Sequence, residues 1–160
     1  MKILLVSDTH RYLKKFQTVL ERIPAIDYIL HMGDAEGDED VIRELAGCPV
    51  DFVAGNNDYL SSHEREKELE IGGIRIFMTH GHYYGVSMGL NRLAEEGAAR
   101  GVDVVLFGHT HRPTIEYRQN LTLVNPGSLS YPRQPGRQPS FGIMEIDSKK
   151  DLHFTINYLD

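Results

Sequence analysis

At 160 residues the chain is long enough for one compact domain with its own apolar core, and 41% hydrophobic with 25% charged residues excludes a disordered or fibrous chain. A formal charge of −6 argues against broad attraction to nucleic acid, and no apolar run approaches the length of a membrane span. The lone Cys48 excludes an internal disulfide and fits a reducing, cytoplasmic setting, while the apolar start Ile3 to Val6 is interrupted by Ser7, Asp8 and His10 far short of a secretory signal.

Taken in order, short apolar runs rich in branched residues predict strands at Lys2 to Val6, Tyr28 to Leu30, Val50 to Ala54, Ile74 to Met78 and Val104 to Phe107. Between them, Leu13 to Arg22, Asp40 to Ala46 and Val86 to Arg100 carry apolar residues at helical spacing, for example Phe16, Val19, Leu20 and Ile23. Strand and helix alternate, as in an α/β sheet covered by helices. After Phe107 the pattern changes: Thr114 to Tyr117, Leu121 to Val124, Phe141 to Ile146 and Leu152 to Tyr158 all read as strands, which favours a partly antiparallel second sheet. The segment Asn125 to Gln138, with Pro126, Gly127, Pro132, Pro135 and Gly136, reads as a stiffened loop rather than a linker, so residues 1–160 are expected to form a single domain.

The polar residues that follow five of these strands carry the chemistry. Val6 leads into Ser7-Asp8-Thr9-His10, Leu30 into His31-Met32-Gly33-Asp34 and Ala54 into Gly55-Asn56-Asn57-Asp58. Met78 leads into Thr79-His80-Gly81-His82, and Phe107 into Gly108-His109-Thr110-His111. Carboxyl ends of strands border the ligand crevice of open α/β sheets, so loops distant in sequence can converge there. Carboxylate oxygen with imidazole nitrogen suits borderline divalent ions such as Mn, Fe, Co, Ni or Zn, whereas Ca or Mg sites are built almost wholly of oxygen. A carboxylate can bridge two ions, and Asp34 is the candidate bridge. Two metals about 3.5–4 Å apart can hold a hydroxide between them and stabilise both entering and leaving oxygens of a displacement at phosphorus. Each motif alone is commonly a turn, a helix cap or a pair of solvated histidines. Five together are not. His31, His63 and His153 fall outside the pattern and read as structural or surface residues.

The set Asp8-Thr9-His10, Gly33-Asp34, Gly55-Asn56-Asn57-Asp58, Thr79-His80-Gly81-His82 and Gly108-His109-Thr110-His111 resembles the calcineurin-like metallophosphoesterase superfamily, and within it the small single-domain bacterial and archaeal phosphodiesterases. The resemblance runs from the first strand to Asn125-Pro126-Gly127-Ser128. It implies a four-layer α/β sandwich, with two mixed β-sheets face to face and helices outside. It also implies two divalent metal ions per chain, Mn foremost, one held by Asp8, His10 and His111 and the other by Asn56, His80 and His109, with Asp34 shared. A metal-bridging hydroxide would then hydrolyse a phosphodiester or, as the lesser case, a phosphomonoester.

There is one departure. Many members place a histidine straight after the ligand asparagine, as the proton donor to the leaving group, where this chain has Asn57. His82 is the nearest replacement in sequence, and its alternative reading is a solvated or supporting histidine. Arg11 and Asn57 are candidate substrate contacts, Arg11 by pairing with a phosphate. Tyr83 and Tyr84 could flank an aromatic leaving group or cover the following helix, and the loop carrying Ser128, Arg133 and Arg137 could close over the site or form a subunit contact. The expected partner is a small-molecule phosphate ester, with a homo-oligomer left open. The rival reading is a protein-interaction scaffold on the same fold, as in the retromer subunit that resembles these enzymes, with weak or no catalysis. A DNA nuclease is disfavoured by the net acidity and by the lack of a separate basic domain.

Overall fold

A computed structural model describes all 160 residues. In chain order the elements are β1 (Lys2–Val6), α1 (Lys14–Arg22), β2 (Tyr28–His31), α2 (Glu39–Ala46), β3 (Val50–Phe52), β4 (Glu66–Ile71) and β5 (Ile74–Thr79). A 3₁₀ turn (His82–Tyr84), α3 (Asn91–Arg100), β6 (Val104–Leu106), β7 (Pro113–Arg118), β8 (Leu121–Pro126), β9 (Ser140–Ile146) and β10 (Leu152–Tyr158) complete the chain. The strands form two mixed five-stranded sheets, ordered β10-β9-β1-β2-β3 and β4-β5-β6-β8-β7.

The side-chain period of two sorts each central strand onto two cores. From β1, Ile3 and Leu5 point between the sheets, where they meet Ile76 and Met78 of β5 and Val104 and Leu106 of β6. Leu4 and Val6 point the other way, onto Phe16 and Val19 of α1 and Ile42 of α2. On the far side, Phe77, Val105 and Leu123 pack against Leu93 and Ala94 of α3. The layers are therefore helices, sheet, sheet, helix. Burial on both faces explains why β1 and β6 are unbroken apolar runs.

The four later strands divide between the sheets. β7 and β8 extend the second sheet, whereas β9 and β10 return to the first, with β9 antiparallel to β1 in the register Leu4↔Ile143. The predicted helix Val86 to Arg100 starts only at Asn91, because Gly85 and Gly89 have positive φ and break any helix there. Gly97 inside α3 is needed by packing: a Cβ would come within 2.5 Å of Val105 Cγ2. β4 has no counterpart among the predicted strands. Its Glu-Lys-Glu-Leu-Glu-Ile run joins β5 through a two-residue Gly72-Gly73 turn, both glycines at positive φ, with Ile71 opposite Ile74. That is a hairpin signal, and the charged residues suit an exposed sheet edge. No helix is long and apolar enough to cross a membrane.

Parallel pairing positions the site. β1, β2 and β3 run in one direction, as do β5 and β6, so each sheet delivers its loops at a single edge. The two edges meet where His109 N donates to Asp8 Oδ2 at 3.2 Å and His80 Nδ1 donates to Met32 O at 2.6 Å.

Candidate metal centre

The loops after the strands adopt backbone that ordinary residues avoid. Asp8 (φ 53°), His10 (45°), Asp34 (58°), His109 (69°) and His111 (56°) all lie in the left-handed region, as do Arg11 and Glu36 beside them. Each such residue costs on the order of 1–3 kcal/mol and persists only where its surroundings hold it. Here Asp8 N donates to Gly33 O (3.0 Å), His10 N to Asp34 O (2.9 Å) and Gly108 N to His80 O (3.0 Å). The neighbouring glycines are required by close approach. A Cβ on Gly55 would overlap Asp34, one on Gly108 would overlap Ser7 Oγ, and one on Gly33 would lie 2.7 Å from His80 Nδ1. Strain and missing side chains serve one end, which is to bring the polar groups together.

Asp8 sits at the centre and is fully buried. Its Oδ2 accepts from Ser7 Oγ (2.6 Å) and His109 N. Its Oδ1 accepts no hydrogen bond, although His111 Nε2 (3.1 Å), His80 Nε2 (3.7 Å) and His10 Nε2 (3.8 Å) surround it. Asp34 Oδ2 lies 3.8 Å from His10 Nε2 and 3.5 Å from His80 Nε2, between the two groups of histidines. Asn56 Oδ1 is 2.9 Å from His80 Nε2 and 3.0 Å from His109 Nδ1, and His10 Nε2 is 3.3 Å from His111 Nε2. All seven ligand candidates thus converge on one cleft. Ligand atoms of Asp8, His10 and His111 lie within 4.8 Å of one another, as do those of Asp8, Asp34 and His80.

The outer ring nitrogens fix which atoms face inward. His80 Nδ1 donates to Met32 O, His111 Nδ1 to Tyr131 O (2.7 Å) and His10 Nδ1 to Glu36 Oε1 (2.6 Å). In the neutral rings, Nε2 then carries a lone pair aimed at carboxylate, amide oxygen or another Nε2. Acceptors at 2.9–3.3 Å repel unless a proton or a cation lies among them. Two carboxylates, an amide oxygen and four imidazoles form a donor set that could hold two borderline divalent ions.

Electrostatics follow the same geometry. Burial alone would raise the Asp8 carboxyl, but His80, His111 and Ser7 hold it well below the usual carboxylate range. Burial would lower His111, and its contact with Asp8 overrides this and raises it. Burial and His80 lower His109, and burial with His80 and His109 pushes His82 down to about 4.

The remaining predicted residues are spread around and beneath the cleft. His82 lies beside the His80 and His109 rings (centroids 5.4 and 5.9 Å), packs on Tyr83 at 4.2 Å and leaves its buried Nδ1 without a partner. Asn57 donates to both oxygens of Asp34 and also lines the cleft next to His10. Arg11 is largely exposed, with its Nε donating to Glu36 O at 2.9 Å. Arg65 lies over the Tyr83 ring, and Tyr84 packs edge-on against Phe77 as part of the cover over α3. Ser128 is buried and inward: its Oγ donates to Asp8 O and accepts from the backbone N of Ser130 and Tyr131. Arg133 and Arg137 line the cleft beside His10 and His111.

Several contributors are not singled out by the sequence. Asp58 accepts from the backbone N of Asp34, Glu36 and Gly55, each at 2.7 Å, and so locks the β2 and β3 loops together. Its place in Gly-Asn-Asn-Asp, where an aspartate binds nearby backbone N–H groups, was the available signal. Glu36 orients His10, and nothing in Ala35-Glu36-Gly37 marks it. Asn125 donates to Gly108 O and Thr110 Oγ1, both at 2.9 Å, and accepts from Gly127 N. His31 is a buried strut below the site, its Nε2 donating to Thr9 Oγ1 (3.0 Å) and its Nδ1 accepting from Gly33 N. His63 stacks on Phe52, and His153 pairs with Asp147 on the surface.

Known proteins resemble this chain along nearly its whole length. Residues 1–149 match the calcineurin-like phosphoesterase superfamily domain. The probable metallophosphoesterase YsnB of Bacillus subtilis is 32% identical over 149 residues, 92% of this chain and 86% of that protein. Among solved structures, a predicted phosphoesterase from Streptococcus pneumoniae TIGR4 superposes with a TM-score of 0.82 at 27% identity, covering 99% of this chain and 88% of that one. An archaeal phosphodiesterase superposes with a TM-score of 0.73 at 26% identity, covering 98% and 100%.

Proposed function

Because the chain belongs to the calcineurin-like phosphoesterase superfamily, with residues 1–149 spanning its domain, we propose that it hydrolyses small-molecule phosphodiesters, and phosphomonoesters less well, with two divalent cations per chain. The observation that carries this reading is the set of inward-facing acceptors: Asp8 Oδ1 without a hydrogen bond, ringed by the Nε2 atoms of His10, His80 and His111. In this reading Asp8, His10 and His111 hold one ion, Asn56, His80 and His109 hold the other, and Asp34 serves both. Manganese is our first choice for the mixed oxygen and nitrogen donors, ahead of Fe, Co, Ni or Zn. Two such ions supply Lewis acidity toward the phosphoryl oxygens and lower the pKa of water.

The chain's own residues do the rest. Met32 O, Tyr131 O and Glu36 fix three imidazoles in the tautomer that presents Nε2, and Asp58 clamps the loops that carry Asp34 and Asn56. Asn57 holds the Asp34 carboxylate in one orientation while facing the cleft, where it also contacts substrate. Arg11, on the rim, meets the non-bridging oxygens. His82 is assigned to the leaving oxygen, since its Nδ1 is buried, unpartnered and adjacent to His80 and His109. Competent ligand residues at all seven positions, with three of the five loops held in left-handed backbone, favour catalysis over a scaffold on this fold. A cytoplasmic setting, with residues 1–160 as one domain, belongs to the same reading and is supported by the lone Cys48 and by the domain match over residues 1–149.

The test is turnover of bis(4-nitrophenyl) phosphate with added Mn, alongside calorimetric metal titration. Asp34→Ala and His109→Ala each abolish metal-dependent hydrolysis; undiminished activity in both variants would overturn the reading.

A further inference from the structure

The chain has eleven arginines against six lysines, and most arginines are neutralised or stacked. Arg11, Arg22, Arg43, Arg75, Arg100 and Arg118 each have a carboxylate oxygen within 4.0 Å, and Arg65 and Arg92 lie over the rings of Tyr83 and Tyr84. Arg112, Arg133 and Arg137 have neither kind of partner. All three line one wall of the cleft that exposes His10 and His111.

An acidic protein that gathers its unpaired guanidinium groups on one wall beside its catalytic cleft carries a local positive field against its own net charge. The wall is also built rather than loose. Ser130 Oγ donates to Thr9 O (2.6 Å), Arg133 N donates to His111 O (3.0 Å), and Ser128 Oγ accepts from the N–H groups of Ser130 and Tyr131. Arg137 is held in left-handed backbone (φ 47°) by a turn in which its N donates to Gln134 O. Glu36, the acidic residue on the same cleft, is engaged with His10 and Arg11 and does not neutralise the wall.

We infer that the substrate is a phosphate ester carrying a second phosphate group, which Arg112, Arg133 and Arg137 bind on the His10 and His111 half of the cleft, away from His82. Guanidinium matches phosphate through paired, charge-assisted hydrogen bonds, and three of them offset a phosphate dianion. This rests on the phosphoesterase reading and narrows its substrate class.

The experiment compares two compounds that differ only in that group: thymidine 5′-(4-nitrophenyl phosphate), with and without a 3′-phosphate, assayed with Mn. The 3′-phosphorylated compound is expected to have kcat/KM at least about tenfold higher, chiefly through KM, as one or two charge-assisted hydrogen bonds provide. The advantage shrinks at high salt. In Arg133→Gln combined with Arg137→Gln it falls to within about twofold of unity, consistent with loss of those bonds. Equal kcat/KM for the two compounds in the wild type, or an advantage that survives the double variant, overturns the inference. Failure to cleave either compound, with bis(4-nitrophenyl) phosphate also left intact, sinks the phosphoesterase reading instead. A second measurement then decides on the arginines alone: chelator-treated protein titrated with thymidine 3′,5′-bisphosphate and thymidine 5′-phosphate. Tighter binding of the bisphosphate, lost in the double variant, supports the wall as a phosphate site; equal affinity contradicts it.

Discussion

The side-chain amide of Asn57 donates a 2.7 Å hydrogen bond to Oδ2 of Asp34, and its backbone N–H donates to Oδ1 of the same carboxylate at 2.9 Å. The residue that stands where a proton donor is common in the superfamily is thus tied to the candidate bridging ligand. Asn57→Ala removes the first bond and leaves the second. Mn affinity should fall by about 10–100-fold, as when the orienting partner of a metal ligand is lost, with the fold intact. Calorimetric titration checks it; unchanged affinity would show that Asn57 does not position Asp34.

His82 should matter in proportion to the difficulty of the leaving group. For His82→Phe we expect about a tenfold loss of kcat on an alkyl phosphodiester, where the neutral ring donates a hydrogen bond to the leaving oxygen, and a much smaller loss on a 4-nitrophenyl diester, whose leaving group needs little such help. Equal losses on both would make His82 a packing residue against Tyr83.

Gly108 is required by the approach of β6 to β1. An added methyl group would overlap Ser7 Oγ and crowd Asp8 Oδ2. Overpacking of this kind costs about 1–3 kcal/mol, so Gly108→Ala should lower Tm by roughly 3–10 °C in the presence of a chelator. Adding Ser7→Ala removes the overlapped hydroxyl and should recover part of the loss. A melting curve superimposable on the wild type's would show that the loops part more easily than the geometry implies.

His31 supplies a pH dependence of defined sign. It is fully buried, and burial pushes its pKa from 6.5 down to about 4. Above pH 6.5 the ring is neutral both folded and unfolded and contributes no pH dependence. As pH falls from 6.5 to 4 the unfolded chain takes up a proton that the folded chain refuses, so stability drops by roughly 3 kcal/mol across that window. His82 and His109 are lowered and act in the same sense; His111 is raised and acts in the opposite one. The comparison of wild type with His31→Gln isolates the residue. Denaturant unfolding at pH 7 and pH 4.5 in chelator should give a smaller difference in the variant, and identical differences would contradict the assignment.

Much of the site is legible in the sequence because its ligands follow strands. Asp8, Asp34, Asn56, His80 and His109 come straight after buried apolar runs, and the regular geometry of parallel strands carries them to one edge. What holds the ligands is less visible. Glu36 reaches His10 only because the backbone turns left-handed at Asp34 and Glu36, and two residues with ordinary side chains give no advance sign of that. The return of β9 beside β1 depends on long-range pairing that alternation alone does not specify, since β9 could equally continue the second sheet. β4 escaped because three of its six residues are glutamates, although the Gly72-Gly73 turn after it marks a hairpin. Arg112, Arg133 and Arg137 gain meaning only from the partners they lack, and sequence does not reveal that.

On the function proposed above, two divalent cations in this cleft make the chain a phosphodiesterase. Mn titrated into chelator-treated protein, with heat and bis(4-nitrophenyl) phosphate turnover followed on the same samples, tests it most directly. We predict two Mn per chain, turnover that rises with occupancy of the second, and loss of both in Asp34→Ala. Turnover that persists in excess chelator, or binding of two Mn with no hydrolysis of any phosphate ester, would contradict it.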